Sequence, residues 1–267
     1  MITETIALRE HFPLPLLGEN PALSVYARSP SPEMQSERRY PAVLICPGGG
    51  YSFVSDREAE PVALAFLNAG FTAAVLTYSV APKMRPPQPL AEAAAAMALL
   101  RRKAADWRID PKRIAVCGFS AGGHLAASLA AMSEDEMLRP LGLAPGEARP
   151  SAQILCYAVL AAQAAHSGTF RNLLGDDPAV WHAFSPVHRI TPETPPAFLW
   201  HTADDSVVPV ENSLLYASAL SKHKIPFALH IFAHGPHGLS VADAEVGTPD
   251  PVTAQWLPLA SEWLRSL

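Results

Sequence analysis

Two apolar periods alternate along the chain. Short, nearly continuous apolar runs, bounded by Pro, Gly or Asp, predict buried strands at Leu23–Arg28, Ala42–Cys46, Thr72–Tyr78, Ile154–Ala158, Ala197–His201 and Phe227–Phe232, with a further strand running from Arg113 into Phe119. Longer segments between them have helical character: Glu58–Ala69 closed by Gly70, Leu90–Trp107, the alanine-rich stretch after Ser120, Val210–His223 and Val252–Leu267. Pro82, Pro86, Pro87 and Pro89 mark a stiff loop that is no helix interior, and Asp110-Pro111 predicts a turn. Alternation of this kind implies the α/β class, a mostly parallel central sheet with helices on both faces, with Leu23–Arg28 at its edge.

Residues 133–150 and 161–195 fit the alternation least. Both are rich in Pro, Gly, Ala and charge and long for simple connections. They predict either pocket walls, with short helices at Phe170–Gly175 and Trp181–Phe184, or ordinary surface excursions.

The 267 residues suit a single domain over 1–267, and 49% apolar with 17% charged residues describes a globular chain. A net charge of −5 argues against a nucleic-acid partner. No run of about 18 apolar residues predicts a membrane span. The start of the chain, Met1 to Ile6, lacks the basic and then apolar pattern of a secretory leader. Cys46, Cys117 and Cys156 are odd in number and flanked by strand-like runs, which predicts buried thiols and a reducing cytoplasm.

Candidate chemistry centres on Gly118-Phe119-Ser120-Ala121-Gly122. A serine hydroxyl is a weak nucleophile, and a tight strand–Ser–helix turn exposes it beside a base, with free helix N–H groups nearby. His237, in His234-Gly235-Pro236-His237-Gly238 just beyond a strand, is the expected base, with His234 its competitor. His124, one turn into the helix after Ser120, is expected to pack or to support the site. The turn Ala203-Asp204-Asp205-Ser206 supplies an orienting carboxylate. Pro47-Gly48-Gly49-Gly50-Tyr51 follows a strand, where backbone donors for an oxyanion belong. The amides of Gly49 and Gly50, with that of Ala121, are the expected hole, open to a shift of one residue. The glycine run lacks the Gly-Lys-Ser/Thr of a phosphate loop; His234 and His237 are three apart, but neither H-E-x-x-H nor a paired C-x-x-C is present, and no metal or cofactor is expected. Tyr51, Phe53 and Tyr78 suit a substrate pocket or the core equally.

Together these motifs, with Tyr78-Ser79-Val80-Ala81-Pro82, Arg171-Asn172-Leu173-Leu174-Gly175 and Pro195–Asp205, make the chain from about Leu23 onward resemble the acetyl-esterase and xylan-esterase-like branch of the α/β-hydrolase superfamily. The resemblance implies that fold, and it selects Asp205, three residues before Val208-Pro209, as the acid. It also implies that His237-Gly238 carries the base. Related lipases carry His-Gly-Gly-Gly where this chain has Pro47, so their substrate habits are not transferred. What the resemblance implies is hydrolysis of short acyl esters, acetyl groups on sugars or xylo-oligosaccharides among them, with a small-molecule ester as partner. A serine peptidase of the same fold and a non-catalytic binding protein are the alternatives, and exposed apolar helix faces would suit a homodimer.

Overall fold

The apolar runs form strands β1 (Ile2–Ala7), β2 (Ala22–Ala27), β3 (Tyr40–Cys46), β4 (Thr72–Thr77), β5 (Ile109–Phe119), β6 (Gln153–Cys156), β7 (Ala197–Thr202) and β8 (Phe227–Phe232) in the computed structural model. It describes residues 1–13, 15–33, 37–164, 167–247 and 249–267. The strands make one sheet in the order β1-β2-β4-β3-β5-β6-β7-β8. β1 and β2 are antiparallel to each other, β2 is antiparallel to β4, and all other pairs are parallel. Leu23–Arg28 is therefore not the edge: β1 covers it, with Ile2 opposite Ala27. The sequence pattern missed β1 because an outer strand exposes most of its length, and Ile-Thr-Glu-Thr-Ile-Ala offers no apolar run.

Side chains alternate between the two faces with a period of two, and since both faces are covered the inner strands are buried along nearly their whole length. In β3, Ala42, Leu44 and Cys46 pack on one face, and Val43 and Ile45 on the other. The first face is covered by α2 (Gln88–Arg102), α3 (Ala121–Met132) and α6 (Glu211–Lys222). The second is covered by α1 (Glu60–Asn68) and α7 (Trp256–Ser266). The remaining helices are α4 (Ser167–Leu174) and α5 (Pro178–Ala183). α2 is buried all round from Pro89 to Leu100, as expected of a core helix. Its one carboxylate, Glu92, is satisfied by Gly18 N at 2.8 Å, Ser79 N at 2.7 Å and Ser79 Oγ at 2.6 Å. The three cysteines are free and buried.

Asp110-Pro111 is a bulge rather than a turn between elements. Tyr40 pairs with Ile109 but Ala42 with Ile114, so the intervening residues of β5 loop out, and Asp110 Oδ1 accepts from Lys112 N at 3.0 Å. Residues 133–150, for which the sequence left pocket wall and surface excursion open, pack at the far end of α2, where Glu147 pairs with Arg102. The reason is direction: α3 runs back from Ser120, so whatever follows its end lies away from the carboxyl ends of the strands. Segment 161–195 stays near those ends and contributes α4 to the site described below.

β3 lies between β4 and β5, so the chain passes to opposite sides of β3 in successive crossovers. Loops leaving the carboxyl ends of strands at such a reversal diverge and leave a crevice. Cys46 and Gly118 are the last paired residues there, which brings the glycine run and Ser120 side by side.

Candidate active site

β5 ends at Phe119 and α3 starts at Ala121, so Ser120 alone makes the turn. Its φ of 51° and ψ of −117° are unfavourable for a residue with a Cβ, and such strain persists only where the surroundings impose it. Close packing imposes it here: a Cβ on Gly118 would lie 2.2 Å from the Gly122 carbonyl oxygen, and one on Gly122 2.0 Å from that of Cys46. Ser120 N donates to Cys156 O at 3.0 Å, and Ser120 O accepts from Val159 N at 3.1 Å, which ties the turn to the end of β6.

β7 and β8 stay in register to their last residues, Thr202 opposite Phe232. The loops that follow therefore leave the sheet together, one carrying Asp205 and the other His237. His237 Nδ1 lies 2.7 Å from Asp205 Oδ2, and His237 Nε2 lies 2.9 Å from Ser120 Oγ. A carboxylate only accepts, so Nδ1 holds the proton and Nε2 turns its lone pair to the serine hydroxyl. Asp205 Oδ1 accepts from Val207 N and Val208 N, both at 2.9 Å. Burial by itself would raise this carboxyl, but hydrogen bonds from His201 and His237, the charge of His237 and the Val208 amide outweigh it and hold the group well below the usual carboxylate range. Asp205 thus stays an anion.

His201 is a member the sequence reading overlooked. It is fully buried, with Nε2 2.8 Å from Val208 O and 3.5 Å from Asp205 Oδ2, and Nδ1 2.8 Å from Ser213 Oγ. The Val208 carbonyl requires Nε2 to donate, and the Ser213 hydroxyl partners Nδ1. The available signal was a histidine inside a strand whose every residue is buried, because a buried polar group demands partners.

The loop after β3 is held from four directions. Tyr78 Oη donates to Pro47 O at 2.6 Å, Glu58 Oε2 accepts from Gly48 N at 2.7 Å, Asn172 Nδ2 donates to Gly50 O at 2.8 Å, and Tyr51 Oη lies 2.8 Å from His124 Nδ1. His124 Nε2 is 3.0 Å from Phe184 O, so it donates there and Nδ1 accepts from Tyr51. Burial lowers His124 to about 4, partly offset by the Phe184 carbonyl, so the ring is neutral. His124 supports the site and does not serve as its base. Because Glu58 occupies the Gly48 amide, Gly49 and Gly50 are left with amides that meet no protein acceptor among the described residues. Ala121, first in α3, has an N–H with no acceptor within its helix.

Tyr51 and Tyr78 are core residues that brace this loop from behind and do not line the cavity at Ser120, whereas Phe53 is 59% exposed and does line it. That cavity measures about 280 Å³. Its walls include Gly49, Gly50, Glu58, Thr169, Asn172, Val207 and Gly238, and nothing from 133–150. Glu58 was also unforeseen. Its Oε1 accepts from Tyr157 Oη at 2.7 Å, Tyr157 Oη accepts from Ser240 N at 2.9 Å, and the Tyr157 ring stands edge-on to His237 at 5.0 Å. Burial raises the Glu58 carboxyl, and the bonds from Tyr157 and Gly48 counter part of that rise. One carboxylate so links the glycine loop to the loop of His237. No short-range pattern announces Glu58 or Asn172, since each acts on a residue distant in sequence.

His234 and Asp204 form a separate pair, 3.0 Å apart, with side chains 86% and 53% exposed. Neither reaches Ser120.

A model of the BD-FAE family matches residues 30–220. An endo-1,4-beta-xylanase B of Butyrivibrio fibrisolvens is 40% identical over 209 residues, covering 76% of this chain and 33% of that protein. An acetylxylan esterase of Xylanibacter ruminicola is 31% identical over 245 residues, 88% of this chain and 47% of the other. The chain thus spans a third to a half of the length of these curated relatives. The crystal structure of an acetyl ester-xyloside bifunctional hydrolase from Caldicellulosiruptor lactoaceticus superposes with a TM-score of 0.84 and 38% identity, over 98% of this chain and 96% of that one. Among the described residues no helix is long and apolar enough to cross a membrane.

Proposed function

From a chain that belongs to the BD-FAE family and has the α/β-hydrolase fold, we infer a serine carboxylic ester hydrolase that acts on short acyl esters, acetylated sugars foremost. The observation that carries this reading is the unbroken line of hydrogen bonds from Asp205 through His237 to Ser120, beside backbone amides with no acceptor of their own among the described residues. Ser120 Oγ attacks the acyl carbon as its proton passes to His237 Nε2. Asp205 keeps the imidazole in the required tautomer and steadies the imidazolium. The amides of Gly49, Gly50 and Ala121 take up the charge on the carbonyl oxygen. Collapse breaks the bond to the alcohol oxygen, which takes the proton from His237 and leaves an acyl-enzyme. Water, deprotonated by the same nitrogen, then releases the acid and restores Ser120. The names of relatives that act on acetyl esters and acetylxylan support the choice of acyl group, and a cavity of about 280 Å³ suits a small one.

Ser120→Ala is the test. Turnover of p-nitrophenyl acetate should fall by about 10⁴-fold or more, and a variant that hydrolyses it at the wild-type rate removes the nucleophile from this account.

A further inference from the structure

The charged groups lining the cavity are unequally engaged. Glu58 is buried and bonded to Gly48 and Tyr157, and His237 is bonded to Asp205 and Ser120. Arg57 also lines the cavity, is exposed, and its guanidinium makes no hydrogen bond or ion pair with another side chain among the described residues. It does not hang from a loose loop. Residues Asp56–Glu58 form a 3-10 turn anchored by Glu58, and Arg57 O accepts from Ser240 Oγ at 2.5 Å. The guanidinium reaches over the residue after the catalytic histidine: a Cβ at Gly238 would meet Arg57 Nη2 at 3.3 Å and nothing else within 4 Å.

That position decides which half of an ester Arg57 faces. The departing alcohol takes its proton from His237 Nε2, so the alcohol oxygen stands beside that nitrogen. The body of the alcohol then extends past His237 and Gly238, under the guanidinium. Phe53 stands at the rim of the same cavity, its backbone held in a turn by Gly49 O at 3.3 Å while its ring stays open to solvent. A guanidinium is a rigid planar fork that matches two adjacent oxygens, and an exposed aromatic ring offers an apolar face. A pyranose presents both complements, a face of C–H bonds and pairs of neighbouring oxygens on its edge.

We propose that Arg57 and Phe53 form the alcohol-side subsite of this enzyme and select a sugar: the pyranose face rests on Phe53 and two adjacent oxygens, a vicinal hydroxyl pair or a carboxylate, bind the Arg57 fork. The proposal rests on the ester-hydrolase reading above and adds the residues that choose the alcohol.

The experiment measures kcat/KM of the full chain on ethyl acetate, a mono-acetylated methyl xyloside and a mono-acetylated methyl glucuronoside, for wild type, Arg57→Ala, Arg57→Lys and Phe53→Ala. Arg57→Ala and Phe53→Ala should each lower the ratio of sugar acetate to ethyl acetate, by about tenfold for the arginine, the scale of one charge-assisted hydrogen-bonded contact. Arg57→Lys keeps the charge and loses the fork. If it recovers the glucuronoside alone, the bound pair is a carboxylate; if it recovers neither sugar, the pair is the hydroxyls. Ratios that stay at the wild-type value, or losses equal on all three esters, overturn the subsite. Absence of turnover by wild type on every ester overturns the hydrolase reading and the subsite with it.

Discussion

Two aspartate–histidine pairs leave the sheet side by side, and they share everything but their surroundings. Asp204 and Asp205 are neighbours in the chain, His234 and His237 are three residues apart, and the contact distances are 3.0 Å and 2.7 Å. The Asp205 side chain is fully buried and that of His237 18% exposed. Two amides and His201 brace the Asp205 carboxylate, and the far nitrogen of His237 meets a serine. The outer pair is exposed, where an ion pair contributes little, and its histidine meets no second hydrogen-bond partner among the described residues. Asp204 does spend one oxygen on Gly235 N at 2.8 Å, so it shapes the loop that carries His237. The lesson is that residue type and separation do not set a histidine between a carboxylate and a serine. Burial and a third partner do.

The largest break in this comparison should come from Asp205→Asn. An amide at that position turns an N–H toward the imidazole or accepts more weakly, the tautomer is no longer enforced, and kcat/KM on p-nitrophenyl acetate should drop by about 10⁴-fold. Retention of activity with Asp204 acting as substitute would erase the distinction between the pairs.

His124 extends the contrast to a buried histidine outside the Asp205–His237–Ser120 line of hydrogen bonds. Its native value of about 4 lies below the ordinary 6.5, so an unfolded chain takes up a proton there before the native one does. The stabilisation is complete above pH 6.5 and is lost as pH falls through about 4, a swing of about 3 kcal/mol. Urea unfolding across that window should show the loss, and His124→Gln should flatten it. Because the raised Glu58 carboxyl titrates with the opposite sign, the difference between the two curves is the readout: a His124→Gln curve that falls as steeply as wild type would contradict a neutral, buried ring. Asp205 acts lower on the scale, since a depressed carboxyl gives its full stabilisation above about pH 4 and loses it only as pH falls further.

The smallest effect belongs to the outer pair. His234→Ala and Asp204→Asn, the latter keeping an oxygen for Gly235 N, should each change kcat/KM by at most about threefold, in line with exposed pairs generally. A loss comparable to that of Asp205→Asn would mean the outer pair orients the base.

Much of the site was legible because its signals are local. A strand, a serine between glycines and a helix follow one another directly, and the turn at Asp205 and the glycine-flanked His237 sit just past apolar runs. What escaped acts across long separations: Glu58 on Tyr157, Asn172 on Gly50, His201 on Ser213. Tyr51 and Tyr78 were ambiguous for the same reason, since an aromatic after a strand suits a pocket wall or a brace until its hydroxyl partner is known. β1 escaped because exposure on an outer strand removes the apolar run that marks inner ones.

The amino-acid order by itself determined the alternating elements, the tight turn at Ser120 and the short list of candidates for acid, base and oxyanion donors, because each depends on neighbours within a few residues. Tertiary structure alone decided which glycine amide is already occupied, which histidine is braced and which segment walls the cavity. Those outcomes depend on the reversal of strand order beside β3 and on the shared register of β7 and β8, through which residues remote in the chain become neighbours out of water's reach.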